Sequence, residues 1–358
     1  MCEGWVKKMK LMDHRKRILI LVCTLFACII GVSAMHMPSE SVNASQIKWG
    51  DYIKREPAWY GSSEGIKFAD MLISKQKPDG GWQKDMDMKT NGWWKGSTID
   101  NSATTSQIIV LAKTYKATGN DKYLKSCLRG IDLLLDGQYE NGGWPQVFGA
   151  DGSYHAHITY NDKAMVRVMD LLRKVSRKEG DFAFVDDSYA SRASAAVDKG
   201  VQCMLNTQII SGGVRTGWCQ QYDENTLQPA SARAYEIESI SSAETAEIVQ
   251  FLNKLDNKSP EVVNAIESAV KWMDDVKITG YTWDKKSGDK GLQPGTADDV
   301  LWARFYEIGT NKPMFVDRDG SKHYDIQGIS KERSTGYAWY GKWGCKLIET
   351  GFVKKMMM

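Results

Sequence analysis

Apolar residues recur at intervals of three and four positions over most of the chain after Tyr52, which is the spacing of amphipathic helices. Ala, Leu, Lys and Glu occupy many of the other positions, as helix-forming segments do. The pattern predicts helices over 62–77, 102–118, 121–137, 161–177, 189–206, 242–255, 260–277, 297–309 and 338–350. Residues 310–336 differ, and a short β-hairpin is predicted there with its turn at Asp319–Gly320.

A repeated motif separates the predicted helices, in which a Gln is followed by a glycine pair and a Trp. Two close copies and a looser third one run from Gln76 to Trp82, from Gln138 to Trp144 and from Gln208 to Trp218. Gly80 and Gly142 are 62 positions apart, and Gly212 follows 70 positions later. Such a period indicates one supersecondary unit used repeatedly. We therefore expect an all-α fold, an α/α toroid of about three helix pairs plus extra helices, with small β-hairpins and long loops. An open α-solenoid is the alternative.

Two carboxylates occupy equivalent places in the first two copies of the motif. Asp100 and Asp162 each lie nineteen residues after the second glycine of their copy, and Asn101 and Asn161 flank them. Each Asp alone fits a helix N-cap. As a pair with amide neighbours they also fit a Ca²⁺ site or an acid/base pair, and the residues alone leave both interpretations open.

The third copy has no Asp at this place and carries Arg233 in the segment that follows. If this segment faces the same cavity, Arg233 lies near the two carboxylates, whereas a surface salt bridge with Glu236 is the alternative. The sequence has no P-loop or HExxH motif, and only five His. A His-centred hydrolase would depend on His155 or His157.

Two further arginines are candidates for binding acidic groups. Arg318 lies next to the predicted turn at Asp319–Gly320, and Arg on a loop tip suits bidentate binding of a carboxylate. Arg304 lies in the predicted helix 297–309, where it could also pair with Asp299 or Glu307. A negatively charged substrate held by Arg and a divalent cation fits this set of residues best.

The composition narrows the function further. A net charge of +3, without a run of like charges after the N-terminus, gives no sign of a nucleic-acid partner. Thirteen Trp and fifteen Tyr are many for 358 residues. Aromatic side chains suit stacking on sugar rings, but they suit core packing equally well.

Residues 1–34 have the pattern of a signal peptide, with basic residues, an apolar stretch and small residues up to Ala34, where cleavage is expected. The apolar stretch is short for a membrane span. The mature chain is therefore expected to lack a membrane span and to be secreted or periplasmic, with lipoprotein processing at Cys28 ranked lower. We expect an N-terminal segment over 35–55 and one α/α-toroid domain over 56–352.

Four cysteines remain in the expected mature chain, and they show no zinc-binding spacing: Cys127, Cys203, Cys219 and Cys345. Buried free thiols are the favoured interpretation. A disulfide between Cys203 and Cys219 is the alternative, because an exported protein meets an oxidising compartment.

Several segments together resemble polysaccharide lyase family 10, the pectate lyases. The matching segments are Asp79–Trp82, Ser97–Thr104, Gly142–Gln146, Ile158–Asp162, Ala232–Glu236, Arg304–Ile308 and Tyr337–Tyr340. They follow in order from about residue 60 to residue 350. The resemblance implies an α/α-toroid-like fold and Ca²⁺-assisted anti β-elimination of polygalacturonate, which yields 4,5-unsaturated products.

The resemblance also implies roles for individual residues. Asp100 and Asp162 would hold the calcium, Arg233 would be the base, and Arg304 and Arg318 would bind substrate carboxylates. The other substrate-binding candidates are Asn101, Asn161 and Tyr235. Two positions depart from the family pattern, Gln83 where Pro is expected and Ser102 where Gly is usual.

Two other function classes remain open at this point. One is a glycoside or unsaturated-glucuronyl hydrolase on the same toroid, with Asp100 and Asp162 as acid and as nucleophile or base. The other is a non-catalytic carbohydrate-binding protein. In each case a monomer is expected, with an acidic plant polysaccharide as the partner for the lyase.

Overall fold

The structure, a computed structural model, describes residues 49–84, 96–284 and 291–349. These residues belong to one compact unit, Ile47–Met358. The predicted signal peptide, its cleavage position at Ala34 and Cys28 lie outside the described residues. No helix in the described ranges combines the length and the apolar character needed to cross a bilayer.

The described residues form ten α-helices, most of them where the apolar periodicity predicts them. They are α1 Trp49–Ile53, α2 Ser63–Lys75, α3 Thr105–Thr118, α4 Asp121–Asp136, α5 Ala164–Ser176, α6 Asp187–Asn206, α7 Ser242–Asn253, α8 Pro260–Asp275, α9 Lys331–Gly336 and α10 Cys345–Glu349. Helix starts follow the expected chemistry. The side chain of Asn120 accepts from Lys122 N, and that of Ser259 accepts from Val262 N before α8. The predicted helices from 62–77 to 260–277 are thus confirmed.

Helices α3 to α8 form three antiparallel pairs, α3 with α4, α5 with α6 and α7 with α8. The first members contact one another in the order α3, α5, α7, and the second members contact in the order α4, α6, α8. Buried side chains surround α3, α5 and α7 on most sides, whereas α4, α6 and α8 keep an exposed face. The fold is therefore an α/α toroid with an inner and an outer ring of helices, as predicted.

The Gln of each repeat joins its turn to the next outer helix. Its side-chain amide donates one bond to a carbonyl of the turn and a second bond to a carbonyl on the facing helix. These pairs of acceptors are Gly80 O and Ser126 O for Gln76, Gly142 O and Ala196 O for Gln138, and Thr216 O and Ala265 O for Gln208, all at 2.7–2.9 Å. The three copies of the repeat therefore share one hydrogen-bonding arrangement, in which the Gln side chain links the turn to the next outer helix.

The Gly and Trp of the repeat have equally specific tasks. Gly80 and Gly142 have φ of 97° and 90°, and a Cβ on Gly142 would lie 2.0 Å from the Lys199 carbonyl oxygen, so a larger residue cannot fit there. Each buried Trp donates its indole N–H to a carbonyl of the preceding helix. The acceptors are Leu72 O for Trp82, Leu134 O for Trp144 and Met204 O for Trp218, at 2.7–2.8 Å.

Short antiparallel strands fill the loops between and after the helix pairs. They are β1 Ile158–Thr159, β2 Ile210–Ser211, β3 Val214–Arg215, β4 Gln221–Tyr222, β5 Ile240–Ser241, β6 Ile278–Thr279, β7 Tyr281–Thr282, β8 Gln293–Pro294, β9 Val300–Ala303, β10 Phe305–Tyr306, β11 Pro313–Val316, β12 Lys322–His323 and β13 Tyr340–Gly341. The largest sheet has the order β12-β11-β10-β5, and a second has the order β13-β9-β6. The predicted hairpin around Asp319–Gly320 is confirmed as β11–β12.

Two predicted helices are wrong. Residues 297–309 form β9 and β10, because Val300–Ala303 pairs with β6 on one side and β13 on the other, and this pairing outweighs local helix preference. The predicted helix 338–350 contains β13, and within its described residues 338–349 the helical part is Cys345–Glu349. The Trp302 indole nevertheless donates to Met273 O at 2.7 Å, as the repeat tryptophans do to their helices.

The four cysteines of the described chain are free thiols, so the alternative of a Cys203–Cys219 disulfide is not what the structure contains. Both thiols are buried. Burial raises the pKa of the Cys203 thiol to about 11, and the pKa of the Cys219 thiol is raised for the same reason. These groups are therefore inert packing residues at neutral pH.

Candidate active site

The predicted carboxylates lie on two strained turns at the N-terminal ends of the inner helices α3 and α5. The turns are the 3-10 segments Asp100–Ser102 and Asn161–Lys163, and they contact each other. Each contains consecutive left-handed residues, with φ of 47° at Asn101 and 69° at Ser102, and 51° at Asp162 and 65° at Lys163. Such backbone costs about 1–3 kcal/mol per residue and is typical of functional sites.

The left-handed backbone explains why Gly is usual in the family pattern at the position of Ser102. Ser102 has φ of 69°, a conformation that Gly adopts without a steric penalty. The structure also decides against the N-cap interpretation of the two acids. Neither 3-10 turn has a side-chain capping bond, and neither α3 nor α5 is capped by the carboxylate of Asp100 or Asp162.

Both carboxylates lie in an electrostatic setting that suits a cation. Asp100 is buried, and its carboxylate lies 2.6 Å from the ammonium group of Lys84. Asp162 is exposed, yet the pKa of its carboxyl group is raised, first by loss of surrounding water to neighbouring groups and then by the charges of Glu244 and Asp100. An additional positive charge would therefore be stabilised between these groups.

A third carboxylate, Glu244, completes this group and was not predicted from the sequence. It belongs to the first turn of the inner helix α7, and its side chain is 1% exposed. The hydroxyl of Ser241 and the side-chain amide of Gln220 donate to it. Each of the three inner helices thus brings one acid to the same end of the toroid. We name Asp100, Asp162 and Glu244 the acidic cluster.

Glu244 and the two aspartates occupy equivalent positions relative to one backbone hydrogen bond that recurs in each copy of the repeat. In each copy a backbone N–H bonds to the carbonyl of the repeat Trp, and these bonds join Thr98 to Trp82, Thr159 to Trp144 and Ser241 to Trp218. Asp100, Asp162 and Glu244 follow these anchors by two, three and three positions. Counting from the glycine pair misses Glu244, because the third copy carries extra residues in its turn.

A second layer of charge lies beside the acidic cluster. Glu247 on α7 pairs with Lys163 at 3.2 Å, and Arg167 on α5 donates to the carbonyl oxygen of Asp162. Burial, and then the charge of Glu244, raise the pKa of the Glu247 carboxyl group to about 7. Burial lowers the pKa of the Arg167 guanidinium. The layer thus places one acid and two cations next to the acidic cluster.

Glu247→Gln is expected to remove a pH dependence of stability in the chelator-treated protein. The folded pKa of about 7 lies above the ordinary value of 4.5, so the folded state favours the protonated acid. This contribution is full below about pH 4.5 and is lost as pH rises through about 7, at most about 3 kcal/mol. Chemical unfolding with EGTA at pH 5 and pH 8 measures it. Equal pH slopes for wild type and variant would contradict this role of Glu247.

Arg304 lies beside the acidic cluster, although its local structure is not the one predicted. It follows β9, and its guanidinium pairs with Glu244 at 2.8 Å rather than with Asp299 or Glu307. Burial alone would lower the pKa of Arg304, but the charge of Glu244 outweighs it and raises the pKa. Arg304 therefore stays protonated and can serve as a fixed positive charge.

Arg233 forms the ion pair with Glu236 that the sequence offered as the alternative to a catalytic role. Its Nε donates to Glu236 Oε2 at 2.7 Å, and its Nη2 donates to the other carboxylate oxygen. Burial would lower the pKa of Arg233, but the hydrogen bonds and charge of Glu236 raise it. In this geometry Arg233 is a strongly held cation, which opposes the role of a base.

Arg318 lies at the turn of the β11–β12 hairpin and pairs with Glu332 at 2.7 Å. Both side chains are more than half exposed, so water screens the pair and it contributes little to stability. The hairpin brings Arg318 next to Tyr235, whose ring centroid lies 4.9 Å from its guanidinium carbon. Arg233 lies at the same distance from this ring. We name Arg233, Arg304 and Arg318 the arginine group.

The remaining predicted residues occupy different environments. Asn161 is buried, and its side-chain oxygen accepts from Gln220 Nε2 at 2.8 Å, so it anchors the turn that carries Asp162. Asn101 is half-buried on the turn next to Asp100. Tyr235 is half-buried under the guanidinium groups of Arg233 and Arg318.

One loop links the acidic cluster to the arginine group. The Tyr154 phenol lies within electrostatic reach of Arg233, Glu236 and Asp100, and burial is the main reason that its pKa is raised. The neighbouring His155 stacks on Tyr154 at 4.0 Å, and burial lowers the pKa of its imidazole. The acids and the arginines therefore line one site.

Another grouping of possible metal ligands lies elsewhere in the described part of the chain. His157, Asp223 and Glu224 each offer a ligand atom within 4.8 Å of the others. His157 Nδ1 already contacts Glu224 Oε2 at 3.0 Å, and Asp223 accepts three hydrogen bonds from its own turn. These bonds account for the grouping without an ion.

Comparisons with known proteins identify the family. A sequence model described as pectic acid lyase matches residues 74–348. A family 10 polysaccharide lyase from Cellvibrio cellulosa is 33% identical, covers 85% of this chain and 95% of its own, and superposes with a TM-score of 0.75. A mutant of a family 10 lyase from the same organism, solved with trigalacturonic acid, gives the same identity and TM-score, over 85% of this chain and 96% of its own. A search of curated proteins finds no match. The chain belongs to polysaccharide lyase family 10, the pectic acid lyases.

Proposed function

We propose that this chain is an exported pectate lyase that cleaves α-1,4-polygalacturonate by Ca²⁺-assisted anti β-elimination and releases 4,5-unsaturated oligogalacturonides. The observation that carries the proposal is the meeting of an acidic cluster and an arginine group in one site, joined by the Arg304–Glu244 pair at 2.8 Å. A polymer of uronic acids needs both, because its carboxylates bind Arg directly and bind carboxylates only through a cation. The solved relative with trigalacturonic acid supports this substrate class.

The donor set fits calcium. Carboxylate and amide oxygens are the ligands that Ca²⁺ takes, and Asp100, Asp162 and the neighbouring Asn101 supply them. The raised pKa of Asp162 and the Lys84 ammonium at Asp100 both indicate that the cluster is stabilised by positive charge. Bound calcium would stabilise negative charge on the substrate carboxylate as a Lewis acid.

The remaining steps, substrate binding and proton removal, are assigned to residues of the protein. The C5 proton of galacturonate is α to the carboxylate, so its removal builds negative charge on that carboxylate. The C4–O bond then breaks as the C4–C5 double bond forms, and the leaving oxygen takes up a proton. In this proposal Arg304 and Arg318 bind carboxylates of the polymer, as exposed or partly exposed guanidinium groups do. Arg233 is the proposed base, and it must first leave Glu236, because that pair raises its pKa. Nearby positive charges would then favour its neutral form.

Digestion of polygalacturonate in the presence of Ca²⁺ tests the reaction type. A lyase produces an ultraviolet absorbance from the unsaturated uronate, which rises in step with new reducing ends. Asp162→Ala should lose this absorbance, while Asp132→Ala, at an Asp on the outer helix α4 that pairs with Arg192, should keep it. Reducing ends without absorbance would favour the hydrolase alternative, and binding without turnover would favour the non-catalytic alternative.

The export and the monomeric state belong to the same proposal. The export rests on the signal-like pattern of residues 1–34 and on a family whose substrate is a plant cell-wall polymer, and the monomeric state is proposed alongside it. N-terminal sequencing of protein recovered outside the cytoplasm should begin near Met35, and gel filtration should give the mass of one chain. An intact N-terminus on cytoplasmic protein would contradict the export.

A further inference from the structure

The ring of Tyr235 contacts three guanidinium groups. The guanidinium carbon of Arg333 lies 3.8 Å from the ring centroid, and those of Arg233 and Arg318 each lie 4.9 Å from it. Cations over an aromatic face are attracted by its negative quadrupole. Three such contacts leave little of the ring face for a sugar, so Tyr235 is better suited to hold arginines than to stack on substrate.

Arg333 differs from the other arginines at this ring in its burial and in its lack of a carboxylate partner within the described residues. It is 3% exposed and is the third residue of the short helix α9. Each member of the arginine group has a carboxylate partner, whereas no ion pair involves Arg333 within the described ranges. Its Nη2 is buried without a hydrogen-bond partner, and its Nε reaches Val316 O at 3.4 Å. A buried cation without an anion is costly unless other contacts offset the cost.

Aromatic rings supply these contacts for Arg333. In addition to the Tyr235 ring, the ring centroid of Tyr337 lies 4.1 Å from the guanidinium carbon of Arg333, and that of Trp339 lies 5.0 Å from it. The Trp339 indole also donates to the Arg333 carbonyl at 3.0 Å. The guanidinium is thus enclosed by three aromatic side chains, and its position is fixed by them.

The second tyrosine extends the array to the acidic cluster. Tyr337 lies 5.4 Å from the guanidinium carbon of Arg304, the residue paired with Glu244. Arg333 therefore lies between two rings, one that contacts Arg233 and Arg318 and one that contacts Arg304. A displacement of Arg333 would move both rings and, with them, Arg318 and Arg304, whereas Arg233 is also held by its bidentate pair with Glu236.

We propose that Arg333 is a positioning residue for substrate binding, which sets the spacing of Tyr235 and Tyr337 and thereby aligns Arg304 and Arg318 with successive carboxylates of an acidic polysaccharide. The inference rests on the proposed function. In this inference Tyr235 holds the arginines in position. Substrate affinity should therefore depend on the ring of Tyr235 and not on its hydroxyl group.

Four variants test the role. Arg333→Met keeps length without charge, and Tyr235→Leu removes the ring, and each should raise KM for polygalacturonate about tenfold or more, with a smaller change in kcat. Tyr235→Phe should recover most of the affinity that Tyr235→Leu loses. The double variant Arg333→Met with Tyr235→Leu should have a KM little higher than that of the single variant with the larger KM. The two effects should not add, because both substitutions disrupt the same array of rings and guanidinium groups.

A matched control is Arg192→Met, since Arg192 lies over the Tyr189 ring at 5.5 Å on the outer helix α6 and should leave the kinetics unchanged. Affinity electrophoresis in polygalacturonate with EGTA reports binding without turnover, and thermal unfolding checks that each variant is folded. A folded Arg333→Met with wild-type KM would overturn the inference.

Two further outcomes are decisive. If Arg333→Met does not fold, the Tyr235 variants decide, and equal losses for Phe and Leu would show that the hydroxyl group, not the ring, acts on the substrate. A wild-type protein that neither binds nor cleaves polygalacturonate would instead contradict the proposed function, and the two failures are therefore distinct.

Discussion

Arg233→Ala and Arg233→Lys are each expected to lower kcat by about three orders of magnitude or more, with a much smaller change in KM. The reason is that a base acts only in the transition state, so its loss does not weaken substrate binding. Arg318→Ala is the matched control, because Arg318 contacts the same Tyr235 ring but is assigned to carboxylate binding. It should mainly raise KM. Steady-state kinetics on polygalacturonate separate the two effects.

The pH profile adds a second test of Arg233. The wild-type rate should climb well above neutral pH as the neutral fraction of Arg233 grows. Glu236 raises the pKa of Arg233, so Glu236→Gln should shift the profile to lower pH. An Arg233→Ala enzyme that keeps a tenth of wild-type kcat would show that another group is the base. A rate plateau near pH 7 would then indicate His155 or His157, and Lys163 is the next candidate.

Removal of calcium is expected to abolish turnover. EGTA should reduce activity to background, and added Ca²⁺ should restore it, because the acidic cluster cannot hold a substrate carboxylate without a cation. Far-UV circular dichroism should change little, since the three helix pairs pack through apolar side chains that need no ion. Asp162→Ala should weaken both metal and substrate binding, measured by calcium titration and by affinity electrophoresis.

The control for metal binding is Asp132→Ala, which removes an Asp of similar chemistry from the outer helix α4 and should leave calcium affinity unchanged. Full activity in excess EGTA would contradict the assignment of Asp100 and Asp162. Calcium binding that survives Asp162→Ala but is lost on replacing His157 would move the metal to the grouping with Asp223 and Glu224.

The toroid could be predicted from the sequence because its repeat consists of residues with fixed bonding tasks. Gln76, Gln138 and Gln208 each join a turn to the next outer helix, so the spacing of the motif reports the spacing of the helix pairs. The segment 297–309 could not be predicted in the same way. Its strands depend on partners far along the chain, and local helix preference carries no information about them.

The site was predictable only where residues follow the repeat. Asp100 and Asp162 lie at the same sequence spacing from the glycine pair. The longer third turn shifts Glu244 out of this spacing, and its equivalence to the aspartates follows only from the backbone bond from Ser241 N to Trp218 O. The environment of Arg333 includes Tyr337, four positions later, but also Tyr235, 98 positions earlier, and no local pattern joins Arg333 to Tyr235.

The masses of the products from a purified oligogalacturonate test the central claim of elimination most directly. The enzyme is incubated with the oligomer and Ca²⁺, and each complementary pair of fragments is weighed by mass spectrometry. Elimination only rearranges the atoms of the substrate, so the two fragment masses should add up to the mass of the intact oligomer. Fragments that together weigh one water more than the substrate would show hydrolysis and contradict a lyase.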